Sequence, residues 1–266
     1  MPRVIVLGCG GSAGVPHLGG NDGRGDWGAC NPMEPLNRRT RSSIIIEGSG
    51  EGEGSRLLVD TGPDMRAQLL ACAIRSVDAI CFTHAHADHI VGLDDVRLLN
   101  RIVKRPLETF ATARTLREVE ARFDYAFRPW QPPGFFRPVL VPREVEAGQP
   151  FEAAGMRIET FVQDHGFMPS LGLRVGGFGY STDAVALDDA AFEALRGVDT
   201  WLVGCFQRAP HRTHANVKQV MTWAERVGAR RTVLTHMGYD LDWAWLQQRL
   251  PKGIEPGHDG MILDCP

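Results

Sequence analysis

Seven consecutive residues, Thr83-His84-Ala85-His86-Ala87-Asp88-His89, place three histidines and a carboxylate directly behind an apolar run, Asp78 to Phe82. Imidazoles and a carboxylate this close together are costly to bury unless a cation compensates them. His84 and His86 share one side of a chain that is still extended. Asp88 and His89 come after the chain turns and face a second point nearby. Nitrogen and oxygen donors in combination suit zinc, manganese or iron. The competing reading is a solvated polar loop.

One short loop cannot fill two metal shells, so partners must come from elsewhere. Three residues follow the same rule of strand first, donor next: His165 in Val-Gln-Asp-His-Gly, Asp183 in Tyr-Ser-Thr-Asp-Ala, and His236 in Val-Leu-Thr-His-Met-Gly. Singly, each reads as a hydrogen-bonded turn residue. As a set they gather at one edge of the fold, where α/β proteins place their sites, and complete a metal centre.

The rest of the pattern constrains the frame. Apolar or β-branched runs predict strands at Val4–Leu7, Ser43–Ile46, Arg56–Asp60 and Asp78–Phe82, and later near 138–141, 157–163, 171–175, 178–181, 200–204, 231–235 and 261–264. Helical spacing marks Pro63–Ala73, Asp94–Val103, Thr112–Ala121, and stretches near 188–195, 216–227 and 241–249. Gly8 to Gly28 is a long glycine-rich loop, and Gly-Ser-Gly-Glu-Gly-Glu-Gly at 48–54 is a flexible hairpin tip. Runs of strands with helices in both halves predict two packed sheets with helices outside, not one parallel sheet. No linker divides the chain, so residues 1–266 are expected to form a single α/β domain. The aromatic, proline-rich segment 122–137 is a candidate lid or dimer contact; a prolyl loop packed on the core is the alternative.

Composition removes other classes. The net charge of -3 gives no reason to expect nucleic acid or an anionic membrane as the main partner. No run approaches the ~18 apolar residues of a membrane span, and the opening Met-Pro-Arg-Val-Ile-Val-Leu-Gly is too short for a signal sequence. The six cysteines form no CxxC pair, so they read as reduced core or loop residues and imply a cytoplasmic protein.

Thr-His-Ala-His-Ala-Asp-His resembles the His-x-His-x-Asp-His signature of the metallo-β-lactamase superfamily, and His165, Asp183 and His236 fall in that family's downstream order. The opening Leu-Gly-Cys-Gly-Gly-Ser-Ala-Gly-Val-Pro, the stretch Asn-Arg-Arg-Thr-Arg-Ser-Ser-Ile, and Gly257-His258-Asp259-Gly260-Met261 are similar to the branch holding the phosphoribosyl cyclic phosphodiesterases, with the tRNA 3′-processing endonucleases more distant. The resemblance implies a four-layer αββα sandwich and two divalent ions, zinc or manganese, with iron a further candidate. It implies His84, His86 and His165 on one metal, Asp88, His89 and His236 on the other, and Asp183 bridging both. The cyclic phosphodiesterases resemble one another in a cysteine-rich structural zinc site. Here Leu18 to Cys30 keeps only Cys30, and Tyr239 stands three residues after His236, so no structural zinc is expected.

The implied chemistry is attack on a phosphodiester by a water bridging two cations about 3.5–4 Å apart. Asp88 and His214 are the candidate catalytic groups, with His214 donating the leaving group's proton and His211 and His258 as weaker candidates for that task. His258 and Arg41 are candidate substrate contacts; Arg38 and Arg39 share the basic stretch, which also reads as a solvated turn. Asp60, in Leu-Leu-Val-Asp-Thr-Gly, is expected to orient a ligand histidine. Gly8 to Gly14 lack the GK[ST] ending of a P-loop and are read as permitting close backbone approach to the site. The expected partner is a small cyclic or nucleotide-like phosphodiester, without nucleic acid or membrane, and a homodimer is a further expectation. The alternatives are a tRNA 3′-endonuclease, a lactone, thioester or β-lactam hydrolase on the same fold, and a non-catalytic metal-binding protein.

Overall fold

The computed structural model describes residues 2–48, 54–132 and 134–265. Residues 49–53 of the predicted hairpin tip lie outside the described residues. The first half supplies strands β1 (Arg3–Gly8), β2 (Ser43–Glu47), β3 (Arg56–Val59), β4 (Ala79–Cys81), β5 (Leu107–Ala111) and β6 (Leu140–Glu144). It also supplies helices α1 (Met65–Ala71), α2 (Ala87–Ile90), α3 (Val96–Val103), α4 (Ala113–Arg122) and α5 (Asp124–Phe127). The second half adds β7 (Phe151–Ala153), β8 (Met156–Asp164), β9 (Pro169–Val175), β10 (Phe178–Ser181), α6 (Asp189–Ala194), β11 (Thr200–Gly204), α7 (Val217–Val227), β12 (Arg231–Thr235), α8 (Trp243–Arg249), β13 (Ile254–Pro256) and β14 (Ile262–Asp264).

These strands make two seven-stranded sheets, in the orders β14-β1-β2-β3-β4-β5-β6 and β13-β12-β11-β10-β9-β8-β7. Each is half antiparallel and half parallel. In the first, pairing is antiparallel from β14 to β3 and parallel from β3 to β6. In the second, β7 to β10 are antiparallel and β10 to β13 parallel. The parallel connections need crossovers, and the helices provide them.

Period-2 alternation sorts the first sheet's side chains. Val4, Val6, Ile44, Ile46, Leu57 and Val59 enter the core shared with the second sheet. Ile5, Leu7, Ile45, Leu58 and Ile80 face the other way, against Met65, Leu69, Val96, Leu99, Leu116 and Val119 of the helices. On the far side, Phe192, Val220, Trp223 and Leu246 of α6, α7 and α8 pack onto the second sheet. The result is the αββα sandwich. A fully buried Ile or Leu contributes about 1.5–3 kcal/mol, and this double sheet fixes the spacing of the strand ends.

Three predicted helix starts, at 112, 188 and 216, prove to be caps, and the fourth cap falls one residue after the predicted start at 241. Thr112, Asp188, Asn216 and Asp242 stand before their helices, and each side chain accepts a backbone N–H three residues on. Three strands have no counterpart in the sequence pattern: β5, β7 and β13. β5 lies between two predicted helices, where the sequence pattern predicts no strand, and pairs with β4 on one side and β6 on the other. β7 and β13 are three residues each, too short for periodicity. No helix among the described residues is long and apolar enough to cross a membrane. All six cysteines are free thiols.

Candidate metal centre

The donors arrive from strand ends. Asp60 follows β3, the 84–89 cluster follows β4, His165 follows β8, Asp183 follows β10 and His236 follows β12. Asp60, Asp183 and His236 hold positive φ of 65°, 49° and 52°. Such a conformation costs a non-glycine residue about 1–3 kcal/mol and persists only where the surroundings over-determine it. Gly62 lets the loop after Asp60 lie against α2: a Cβ there would sit 2.4 Å from the Asp88 carbonyl oxygen.

The side chains converge in two groups with Asp183 in both. His84, His86, His165 and Asp183 have ligand atoms within 4.8 Å of one another, and so do Asp88, His89, Asp183 and His236. In the first group, His86 Nδ1 lies 3.1 Å from both His84 Nε2 and His165 Nε2. Asp183 Oδ2 is 3.5 Å from the Nε2 atoms of His84, His165 and His89, and its Oδ1 is 3.1 Å from His236 Nε2. Asp88 Oδ2 lies 3.3 Å from His89 Nε2 and 3.6 Å from His236 Nε2.

The outer ring nitrogens set what the inner ones offer. His165 Nδ1 donates to the Thr213 carbonyl at 2.7 Å. His89 Nδ1 donates to Asp60 Oδ2 at 2.7 Å. Thr83 Oγ1 donates to Asp60 Oδ2 at 2.8 Å, which leaves that hydroxyl to accept from His84 Nδ1 at 3.0 Å. In the neutral tautomer each of these rings therefore turns a lone pair inward. The Nε2 atoms of His89 and His236 are buried without a hydrogen-bond partner. Converging lone pairs and carboxylates fit divalent cations, and the donor set suits zinc, manganese or iron.

With a proton in place of a cation, the same carboxylates act on the rings. Burial opposes protonation of His89, but Asp183, Asp88 and Asp60 outweigh it and hold this imidazole well above its ordinary range. His84 is driven well below its range by burial and by His89. Burial pushes the Asp88 and Asp183 carboxyls up, and the neighbouring histidines more than reverse this, leaving both below the usual carboxylate range. Asp60 stays above that range because it is fully buried.

The other predicted residues are placed as follows. His214 is half-buried beside both groups, stacked on His236 at 4.8 Å and with Nδ1 3.9 Å from Asp183 Oδ2. Burial, then the neighbouring His236, pushes its imidazole down to about 3. His211 is exposed, 5.2 Å from the His214 ring. His258 lies between β13 and β14, its Nδ1 3.0 Å from the Asp259 carbonyl. Arg41 pairs with Asp64 at 3.1 Å and donates to the Ser12 carbonyl. Arg39 is buried, its guanidinium committed to carbonyls and to Asn37. Gly11 approaches the site closely: a Cβ there would meet Phe206 at 2.7 Å and His236 at 3.6 Å. Tyr239 stacks on His17 at 3.9 Å.

Four contributors escape the sequence reading. Thr83 and the Thr213 carbonyl orient rings, and Phe206 touches both His214 and His236. Phe206 follows β11, so the strand-end rule could have found it. Asp259, not its neighbour His258, ties the chain together there, accepting from Cys9 N, Thr40 N and Thr40 Oγ1.

A family profile described as the beta-lactamase superfamily domain matches residues 55–237. The chain is 32% identical over 269 residues to an octanoyltransferase of Porphyromonas gingivalis, covering 98% of this chain but 52% of that protein, so it spans about half that relative's length. It is 28% identical to a ribonuclease Z of Mycobacterium sp., covering 87% of this chain and 92% of that one. Among solved structures, a diphosphatase from the PhnP family superposes with a TM-score of 0.88 at 33% identity, covering 99% of this chain and 98% of that one.

Proposed function

The chain belongs to the metallo-β-lactamase superfamily of hydrolases, and on that footing we propose that it is a two-metal phosphohydrolase cleaving a small phosphodiester, cyclic or nucleotide-like. The observation that carries the reading is the Asp183 carboxylate, which presents oxygens to both donor groups at once. His84, His86 and His165 would hold one ion, Asp88, His89 and His236 the other, and Asp183 both. When bound, zinc, manganese or iron supplies Lewis acidity toward a phosphoryl oxygen and lowers the pKa of water to about 7.

The protein's own groups do the rest. Asp60 and Thr83 fix the rings of His89 and His84, and the Thr213 carbonyl fixes His165. Asp88 brings negative charge next to His89 and His236. His214 stands over His236 with one ring N–H to offer. An anionic substrate beside it favours the charged imidazole, which can then protonate the leaving oxygen. The similarity to a PhnP-family diphosphatase supports phosphorus–oxygen bond cleavage.

A small substrate is supported by the 122–137 segment. Its arginines are already engaged: Arg122 with the Ala85 carbonyl, Arg128 with Asp124, and Arg137 with the carbonyls of Arg128 and Pro129. Trp130 stacks on Phe135 at 4.5 Å, so the segment packs on itself. Little is left for gripping tRNA, although the ribonuclease Z relative keeps that reading in the test.

A second reading, thioester or lactone hydrolysis, is favoured by the octanoyltransferase relative and by a hollow of about 480 Å³ that begins just past His165. Val162, Phe167, Met168 and Leu187 line it. The test is a panel of cyclic ribose phosphates, linear phosphodiesters, diphosphates, acyl thioesters and lactones, run with defined metals, and a tRNA gel shift at defined salt. Phosphodiester turnover is expected to lead. Thioester or lactone turnover without phosphodiester turnover would overturn the proposal.

A further inference from the structure

His236 differs from the other buried histidines of the site. The outer nitrogens of His84, His89 and His165 are held by Thr83, Asp60 and the Thr213 carbonyl. His236 Nδ1 is buried with no hydrogen-bond partner, as is its Nε2. A ligand ring is usually oriented through its second nitrogen. Here Nδ1 has no such partner, and the ring lies between flat faces, with His214 stacked on it and Phe206 tilted against it. These contacts resist tipping of the ring plane but give Nδ1 no directional bond. The ring's direction must therefore be set through its backbone, which is itself in the left-handed region at φ 52°.

The loop behind His236 is held by bonds that reach across the fold. Met237 N donates to the Cys9 carbonyl at 2.8 Å, and Gly11 N donates to the Met237 carbonyl at 3.1 Å. Gly238 N donates to the Phe206 carbonyl. Further along, Ala29 N donates to the Tyr239 carbonyl, Arg208 N to Asp240 Oδ2 and Leu241 N to the Gly238 carbonyl. The side-chain cation that holds the loop's carbonyls is Arg39, whose Nη1 donates to the Gly238 carbonyl at 3.1 Å and Nη2 to the Leu241 carbonyl at 2.6 Å. Arg39 is itself fixed. It is only 2% exposed, its Nη2 also donates to Asn37 Oδ1 at 3.1 Å, and its backbone exchanges hydrogen bonds with Val15. Asn37 is in turn tied to Asp242 and to Trp243 N. A planar fork can hold two carbonyls at a set spacing, which an ammonium on a flexible stem cannot.

We propose that Arg39 is the positioning residue for His236. By bridging the Gly238 and Leu241 carbonyls it locks the loop that sets this ring's direction, in place of the ring hydrogen bond that the other buried histidines have. The inference rests on the two-metal reading above. It assigns to a buried cation a task specific to one donor group: Asp88, His89, Asp183 and His236 depend on Arg39, whereas His84, His86, His165 and Asp183 do not.

The test is zinc binding to the metal-free full chain, by competition with a chelator that resolves two constants. The variant is Arg39→Lys, which keeps the charge and loses the fork. The zinc constant that His236→Ala also lowers is expected to fall about 10–100-fold, the scale of losing a ligand's orienting partner, while the other holds. His236→Ala alone identifies which constant belongs to the group. In that background Arg39→Lys is expected to change zinc binding no further, because a route through His236 is then already cut. Equal loss at both constants, no loss at either, or a full additional loss in the His236→Ala background would each overturn the proposal. Should Arg39→Lys not fold, Arg39→Gly with added methylguanidinium gives the same readout: selective return of one constant supports the proposal, and return of both together overturns it. A wild-type chain that binds no zinc would instead overturn the two-metal reading.

Discussion

The two donor groups that share Asp183 are built by different means. Around His84, His86 and His165, two of the three rings are pinned directly, by a hydroxyl and by a carbonyl. Around Asp88, His89 and His236, one ring is pinned by a buried carboxylate, and the other takes its direction from a strained backbone turn. The same donor chemistry can thus be reached through hydrogen bonds made to the rings themselves, from partners as far as 48 residues away, or through backbone geometry that aims a ring without one. The first route ties each ring to one partner. The second makes one donor group depend on how its loop is held.

His214 lies beside both groups without belonging to either. His214→Ala is expected to lower kcat by about 10²–10⁴-fold, the scale of a general acid, with both metals retained. Steady-state turnover of the best phosphodiester, with metal analysis of the same sample, checks this; unchanged turnover would remove His214 from the mechanism.

Asp60→Asn probes ring pinning. It replaces the acceptor facing His89 Nδ1, and about 10–100-fold weaker metal binding or activity is expected. Because Thr83 links Asp60 to His84, both zinc constants should fall, unlike the one-sided loss from Arg39→Lys. A chelator titration that finds only one constant changed would show that Asp60 does not serve both groups.

The smallest effect concerns the frame. Asp242 accepts from Trp245 N, Asn31 N and Asn37 Nδ2. Burial pushes its carboxyl up, but these bonds outweigh burial and leave it below the ordinary range. Its ionised form is therefore favoured in the fold. The contribution is fully present above the unfolded value of about 4 and is lost as pH falls through the lower folded value. Asp242→Ala is expected to cost about 1 kcal/mol, as for other lost caps. Thermal midpoints of variant and wild type should differ by a constant amount from neutral pH down to about 5 and converge below about 4. A gap that widens on acidification would contradict the assignment.

The legible parts of this site are those where chemistry demands a particular side chain at a strand end. His84, His86, Asp88 and His89 announce themselves because nothing but a cation justifies their density. His165, Asp183 and His236 are found by the same rule. The caps Thr112, Asp188, Asn216 and Asp242 lie at the edges of helical spacing and shift the predicted boundaries by a residue or two. The parts that stay hidden depend on distant backbone. Arg39 and Arg41 look alike in sequence, yet one is buried against a carbonyl 202 residues away and the other pairs with Asp64 near the surface. β5 has no clear period because both of its neighbours are strands it meets only in the fold. The left-handed turns at Asp60, Asp183 and His236 are illegible for the same reason, since strain is tolerated only where tertiary contacts enforce it.

One carboxylate, Asp183, stands in both donor groups, and the two-ion reading depends on it. The most direct test loads the metal-free protein with manganese and reads both stoichiometry and electron paramagnetic resonance. Two ions per chain with an exchange-coupled spectrum, as for ions about 3.5–4 Å apart, is the result expected. Saturation at one ion per chain, or two ions with uncoupled spectra, would contradict it.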